Sequence, residues 1–210
     1  MSTKTGWAMM TIVDQKLVLN AYGQFPAISE PAYPYPESYL VWANQIFEKI
    51  RDLFDTFNPD IAVIEETAGG SKSNYSQKIL EFIHFRVARY VTDRGTPTKY
   101  FMTEEWRRIC GCKMTKEESK RNKEVRDFKK KHGTKLAKNT DGKVIGRIGR
   151  KHVNVRRANE IFDGQLKEAL RKKDEDTADA LLLGAAYHLQ KWAPTKQTTL
   201  KGLRDNGKTA

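Results

Sequence analysis

Cysteine, acidic charge and long apolar runs are what this chain has least of. Cys110 and Cys112 are its two cysteines in 210 residues. A single residue separates them, so a mutual disulfide would be strained and would close no useful loop. His132 and His152 do not stand at the spacing that completes a zinc finger with them. The plainer reading is two reduced thiols in a cytosol-like compartment. No stretch approaches the roughly 18 apolar residues of a membrane-spanning helix, so no membrane partner is expected. The opening run MSTKTGWAMMTIVDQK has no basic leader followed by an apolar segment, hence no secretory signal. There is no P-loop pattern and no GxSxG, which leaves ATP hydrolysis and serine-hydrolase chemistry without support. Acidic residues number 26 against 38 Lys and Arg, a net charge of +12. The isoelectric point is near 9.6. That balance selects a polyanionic partner, nucleic acid first and an anionic membrane surface second.

What is present suits one packed domain with a sizeable insertion, since 39% of residues are hydrophobic. Residues 5–13 and 16–25 read as two strands joined by a tight turn at Asp14-Gln15. Pro26, Pro31, Pro34 and Pro36 make 26–37 a loop. Leu40, Val41, Ile46, Ile50, Leu53 and Phe54 recur at helical spacing over 38–57, and Asn58-Pro59-Asp60 stops that helix. IAVIEE at 61–66 is a buried strand ending in two acids. A helix over 74–93 carries Ile79, Leu80, Ile83, Val87 and Val91, with Gly95 after it. Residues 97–102 read as a strand, and Thr103-Glu104-Glu105 as the cap of a short helix bearing Trp106 and Ile109. Residues 113–151 hold 15 Lys or Arg against 5 Asp or Glu and few large apolar residues. They read as a basic insertion, with Gly142, Gly146 and Gly149 giving a mobile end. Helices are predicted over 153–171 and 175–192. The expected domain spans 1–192, followed by a polar, flexible tail at 193–210. Helix-separated strands after a hairpin predict an α/β fold, a mixed sheet with flanking helices.

Two acidic sites stand out. Alternation puts Glu65 on the face of Val63 and Ile61, and Glu66 on the other. An acid ending a central strand lines a site or simply stops the strand in solvent. Asp176 and Asp179, at i and i+3, share one helix face and are close enough to share a cation. Asp174, Glu175 and Asp176 also suit a first helical turn through the macrodipole. Asp179 is harder to assign to structure alone, because it stands among Ala178, Ala180, Leu181, Leu182 and Leu183, where an unpartnered charge is costly. Carboxylates converging from a strand end and a helix start suit Mg²⁺ or Mn²⁺. Two such ions activate water and stabilise a leaving oxygen in phosphodiester hydrolysis.

These motifs together resemble the RuvC-type Holliday junction resolvases of the ribonuclease H-like superfamily, including their phage and poxvirus relatives. Thr5-Gly6-Trp7-Ala8 resembles the family's T-G-(W/Y)-(G/A) turn within the first strand. Ile64-Glu65 resembles its second acidic motif, and Asp176-Thr-Ala-Asp179-Ala180 its C-terminal helix motif. The order holds over about residues 1–192. The resemblance implies a ribonuclease H-like fold with the basic insertion at about 113–151. It further implies a homodimer that cuts four-way DNA junctions symmetrically in a bacterial or phage-infected cytoplasm, serving DNA recombination and repair. Glu65, Asp176 and Asp179 would be its catalytic metal ligands, for Mg²⁺ or Mn²⁺; Glu66 matches less well. The family's first aspartate would fall immediately before Met1. Met1 is therefore expected to be a late start or the edge of a truncation, which an in-frame Leu/Ile-Asp segment upstream would verify.

Phosphate contacts are expected from Lys113, Lys116, Lys120, Arg121, Lys123, Lys129, Lys130, Lys131, Arg147, Arg150 and Lys151. The bland alternative is a solvated charged face. By the resemblance, the loop after Glu65 nears the junction centre, with Lys72 and Tyr75 in it; Tyr75 stacks on a base or packs as a helix N-terminal aromatic. Trp7 and Trp106 read as core. The helix at 74–93, with His84 and Phe85, offers a dimer face. Rival readings are another ribonuclease H-like nuclease, a non-catalytic branched-DNA-binding protein lacking the first aspartate, and a basic RNA-binding module.

Overall fold

The structure is a computed structural model describing residues 5–25, 33–66, 74–133 and 146–192, with the side chains of 74–76 outside that description. The first hairpin joins β1 (Thr5–Val13) to β2 (Lys16–Phe25) in antiparallel register. Its two turn residues, Asp14 at φ 49° and Gln15 at φ 62°, both take left-handed backbone. This is the turn geometry whose twist matches that of the flanking strands. A bulge between Met9 and Met10 shifts the register. The helix α1 (Glu37–Phe57) ends on a left-handed Asn58, the expected stop. Then come β3 (Ala62–Glu65), α2 (Asn74–Asp93) and β4 (Thr98–Phe101). The two strands pair in parallel, as a strand–helix–strand crossover requires. The short α3 (Thr103–Ile109) follows, then α4 (Lys116–His132), α5 (Arg150–Ile161), a 3₁₀ turn at Lys172–Asp174 and α6 (Glu175–Trp192).

Two apolar clusters lie on either side of β3. Val63 packs with Phe101, Trp106, Phe162, Leu181 and Leu182, around α6. Ala62 and Ile64 pack on the other side with Trp42, Ile46, Ile83 and Val91, from α1 and α2. Alternation along a strand buried on both faces produces this division. The hairpin joins the first cluster through Ala8, Met10, Leu17 and Leu19. The backbone start of α6 presses against β1 at Gly6, where an added Cβ would lie 1.8 Å from the Asp176 carbonyl oxygen.

Several expectations are corrected. The sheet is not one continuous ladder: among the described residues it consists of the β1–β2 and β3–β4 pairs. Leu40 and Leu80 are exposed, because the buried faces of α1 and α2 turn on Tyr39, Trp42, Ala43 and Phe47 and on Ile79, Ile83 and Val87. Thr103 does not cap α3; Met102 holds that position and makes no side-chain cap. The segment after 112 contains a regular helix, α4. Thr115 and Glu118 form a capping box there, and Val125 is its buried anchor. The helix expected over 153–171 starts earlier and stops at Ile161. Beyond it the chain turns back, with Asn159 fastening the Leu170 backbone by two hydrogen bonds. Most of the proline loop, Gly69–Ser71, Gly142 and the tail lie outside the described residues. No described helix is long and apolar enough to cross a membrane.

Candidate active site

Glu65 ends β3 on the α6 side, as alternation predicted. Its Oε1 accepts from the Thr103 hydroxyl at 2.6 Å and from the Trp106 indole N–H at 3.1 Å. Asp176 and Asp179 occupy the start of α6. Asp179 Oδ1 accepts from Asn154 Nδ2 at 2.6 Å, and Asn154 Oδ1 in turn accepts from the Arg107 guanidinium at 2.6 Å. Lys151 donates to Glu175, and its ammonium stands 3.9 Å from Asp176.

These groups form one electrostatic unit. Burial pushes the Asp179 carboxyl up to about 6, the Asn154 bond opposes the rise, the Glu65 charge adds to it, and Lys151 and Asp176 act in opposite senses. The Lys151 ammonium is held above its ordinary value: its burial works against this, but the Glu175 bond and the charges of Asp176, Glu175 and Asp179 prevail. On α2, His84 is drawn below its ordinary value by burial, against the pull of Glu65 and Glu66. It therefore belongs electrostatically with the strand end, while its neighbour Phe85 is exposed. Glu66 is exposed and outside the convergence.

The chemistry of this donor set fits a hard divalent cation. Three carboxylates approach from a strand end and one helical turn, and the mutual repulsion felt by Asp179 is what a cation would relieve. The fit is in donor type and convergence, not in a closed cage: among the described residues, no three His, Cys, Asp or Glu side chains are drawn together tightly enough to enclose a metal. Of the two cysteines, Cys112 feels the charges of Arg107 and Asp179, while Cys110 stands apart from this chemistry. Burial pushes the Cys110 thiol up to about 12, and it donates to the Leu182 carbonyl, as a protonated thiol does.

Of the predicted phosphate-contacting residues, Lys116, Lys120, Arg121, Lys123 and Lys129–131 are exposed on α4, and Lys113 and Arg147 on the segments flanking it. Arg121 also binds the Gly146 carbonyl, and Arg150 pairs with Glu104. Lys151 sits at the acids themselves. Lys72 and the Tyr75 side chain lie outside the described residues. Sequence reasoning missed Thr103, Arg107 and Asn154 as members of the site and read Trp106 as core only. The signal for Asn154 was present: it shares the buried face of α5 with Ala158, four residues on, where an amide needs partners.

The folded chain belongs to the class of RuvC-like α/β folds. It is similar to two solved structures from Thermus thermophilus. The first is RuvC in complex with a Holliday junction substrate, at 12% identity and a TM-score of 0.57, covering 90% of this chain and 89% of that one. The second is RuvC itself, at 14% identity and a TM-score of 0.56, covering 91% of each chain. At such identities the likeness is one of fold. No protein-family model matches the chain, and no curated protein matches it.

Proposed function

We propose that this chain is a metal-dependent, structure-selective endonuclease that cuts four-way DNA junctions or other branched DNA. The observation that carries the reading is that Glu65, at the end of β3, and Asp176 and Asp179, at the start of α6, lie near enough for the charges of the first two to act on the third. The RuvC fold supports it, since one structural neighbour is bound to a Holliday junction. Mg²⁺, or Mn²⁺ in its place, would be held by Glu65, Asp176 and Asp179 and would supply an activated water and charge stabilisation at the scissile phosphate. Lys151, beside the acids, is suited to an approaching phosphate oxygen. The exposed lysines and arginines of 113–151, a basic insertion within a domain spanning 1–192, carry the duplex arms. Lys72 and Tyr75 are proposed at the junction centre. A homodimer would present two such sites to the symmetric strands, in a cytoplasmic setting of recombination and repair. Kinship with the phage and poxvirus relatives is proposed on the Thr5-Gly6-Trp7-Ala8 resemblance, a segment that lies within β1.

The test is a labelled synthetic four-way junction incubated with the chain and Mg²⁺. Paired, symmetric nicks that vanish in Asp179→Asn are expected. A second reading, a non-catalytic branched-DNA-binding protein, is favoured by the absence of a closed acidic cage among the described residues. Tight junction binding with no nicking in either Mg²⁺ or Mn²⁺ would leave a pure binder or a truncated enzyme, which adding an aspartate-bearing first strand would separate.

A further inference from the structure

We infer that α3 is a brace that orients Glu65 and Asp179, two of the three carboxylates of the proposed metal site, with Thr103, Trp106 and Arg107, and Asn154 of α5, as its positioning residues. The inference rests on the nuclease reading and assigns roles to residues outside the acidic set.

Thr103 and Trp106 are three residues apart, on one face of α3. Both donate to the same oxygen, Oε1 of Glu65. Trp106 is 1% exposed within the α6 cluster. An indole N–H buried so deeply requires an acceptor, and Glu65 is that acceptor. The next residue along α3, Arg107, is also buried. The Asn154 amide that receives its hydrogen bond passes one on to Oδ1 of Asp179. Because the guanidinium donates only, it fixes the Asn154 oxygen toward itself and therefore the NH₂ toward Asp179. A direct Arg–Asp fork would engage both carboxylate oxygens. The interposed amide engages one and leaves the charge of Asp179 to a cation. One seven-residue helix thus anchors Oε1 of Glu65 and, through Asn154, Oδ1 of Asp179.

The experiment is a Mn²⁺ titration of the full chain, free Mn²⁺ being read by electron paramagnetic resonance. Wild type is compared with Asp179→Asn, Thr103→Val, Thr103→Ser and Asn154→Ala, each checked for a folded melt. Hydrogen bonds behind metal ligands are typically worth 10–100-fold in affinity, so Thr103→Val and Asn154→Ala should each bind about tenfold more weakly, and Thr103→Ser within about twofold of wild type. Wild-type affinity in both Thr103→Val and Asn154→Ala overturns the brace. If Asn154→Ala does not fold, the Thr103 pair decides: Val and Ser alike overturns it, and loss in Val with rescue in Ser upholds it. Absence of Mn²⁺ binding in wild type, or binding unchanged in Asp179→Asn, overturns the nuclease reading itself. Binding that depends on Asp179 but not on Thr103 or Asn154 overturns the brace alone.

Discussion

Asp179 is an acid set where its surroundings disfavour its charge, and that has a consequence for stability. Its carboxyl is raised from an ordinary 3.8 to about 6, with burial as the main cause. The fold therefore favours the protonated form. Between pH 4 and 6 the folded chain holds more of this proton than the unfolded chain does, so this group's contribution to stability falls as pH rises through that window. At pH 7 its full cost is present. In chelator, Asp179→Asn should stabilise the chain at pH 7 by on the order of 2 kcal/mol and by much less at pH 4. Asn retains an oxygen to accept from Asn154, so the packing need not change. Thermal melts of both proteins at the two pH values measure this. A variant that melts below wild type at pH 7 would mean that Asp179 is answered by charges beyond those described.

At the scale of elements, a close backbone approach joins two of the sequence motifs. Gly6 of β1 lies beneath the first turn of α6, with Asp176 and Thr177 backbone atoms 1.8, 2.2 and 2.7 Å from where a Cβ would stand. Backbone cannot swing aside as a side chain can, so Gly6→Ala must push β1 from α6. A loss of about 3 kcal/mol or more is expected from such overpacking, read as a lowered urea midpoint. Gly184→Ala meets only the Met10 side chain and should cost clearly less. A Gly6→Ala chain as stable as wild type would show that β1 and α6 are not so tightly apposed. The hairpin, β3, α2 and α6 were readable in the sequence because each carries an unbroken local signal, alternation or a helical stripe between clear stops. Asp179 stood out because a charge beside Leu181 and Leu182 breaks the pattern, whereas Glu65 and Asp176 each had an ordinary structural reading. Helix α4 was hidden, since a helix that buries little beyond Val125 has almost no apolar period to detect. Thr103 and Asn154 were hidden for another reason: their partners lie 38 and 25 residues away, and hydrogen bonds at that range leave no mark on local sequence.

For the whole molecule, the question is how a net charge of +12 is arranged around the acids. Helix α4 is not a free arm. Asn122 pairs with both the N–H and the carbonyl of Ile148, and Glu118 pairs with Arg156 of α5. Since α5 also carries Lys151 and Asn154, the basic helix is tied to the element that borders the acids. Its exposed Lys116, Lys120, Lys123 and Lys129–131 are thus held at a set position relative to Glu65 and Asp179. DNA lying along them would be steered to the acids by the neutralisation of phosphates, an attraction that weakens linearly with the logarithm of salt. Junction affinity is therefore expected to fall at least tenfold between about 50 and 200 mM salt, and reversing Lys129, Lys130 and Lys131 to Glu should weaken binding and flatten the slope by about one for each phosphate no longer neutralised. Fluorescence anisotropy over a salt series measures both. Because these three lysines are exposed at the end of α4, the triple variant should melt as wild type does. An unchanged slope in a folded triple variant would take the end of α4 out of the interface and leave its lysines as a solvated face.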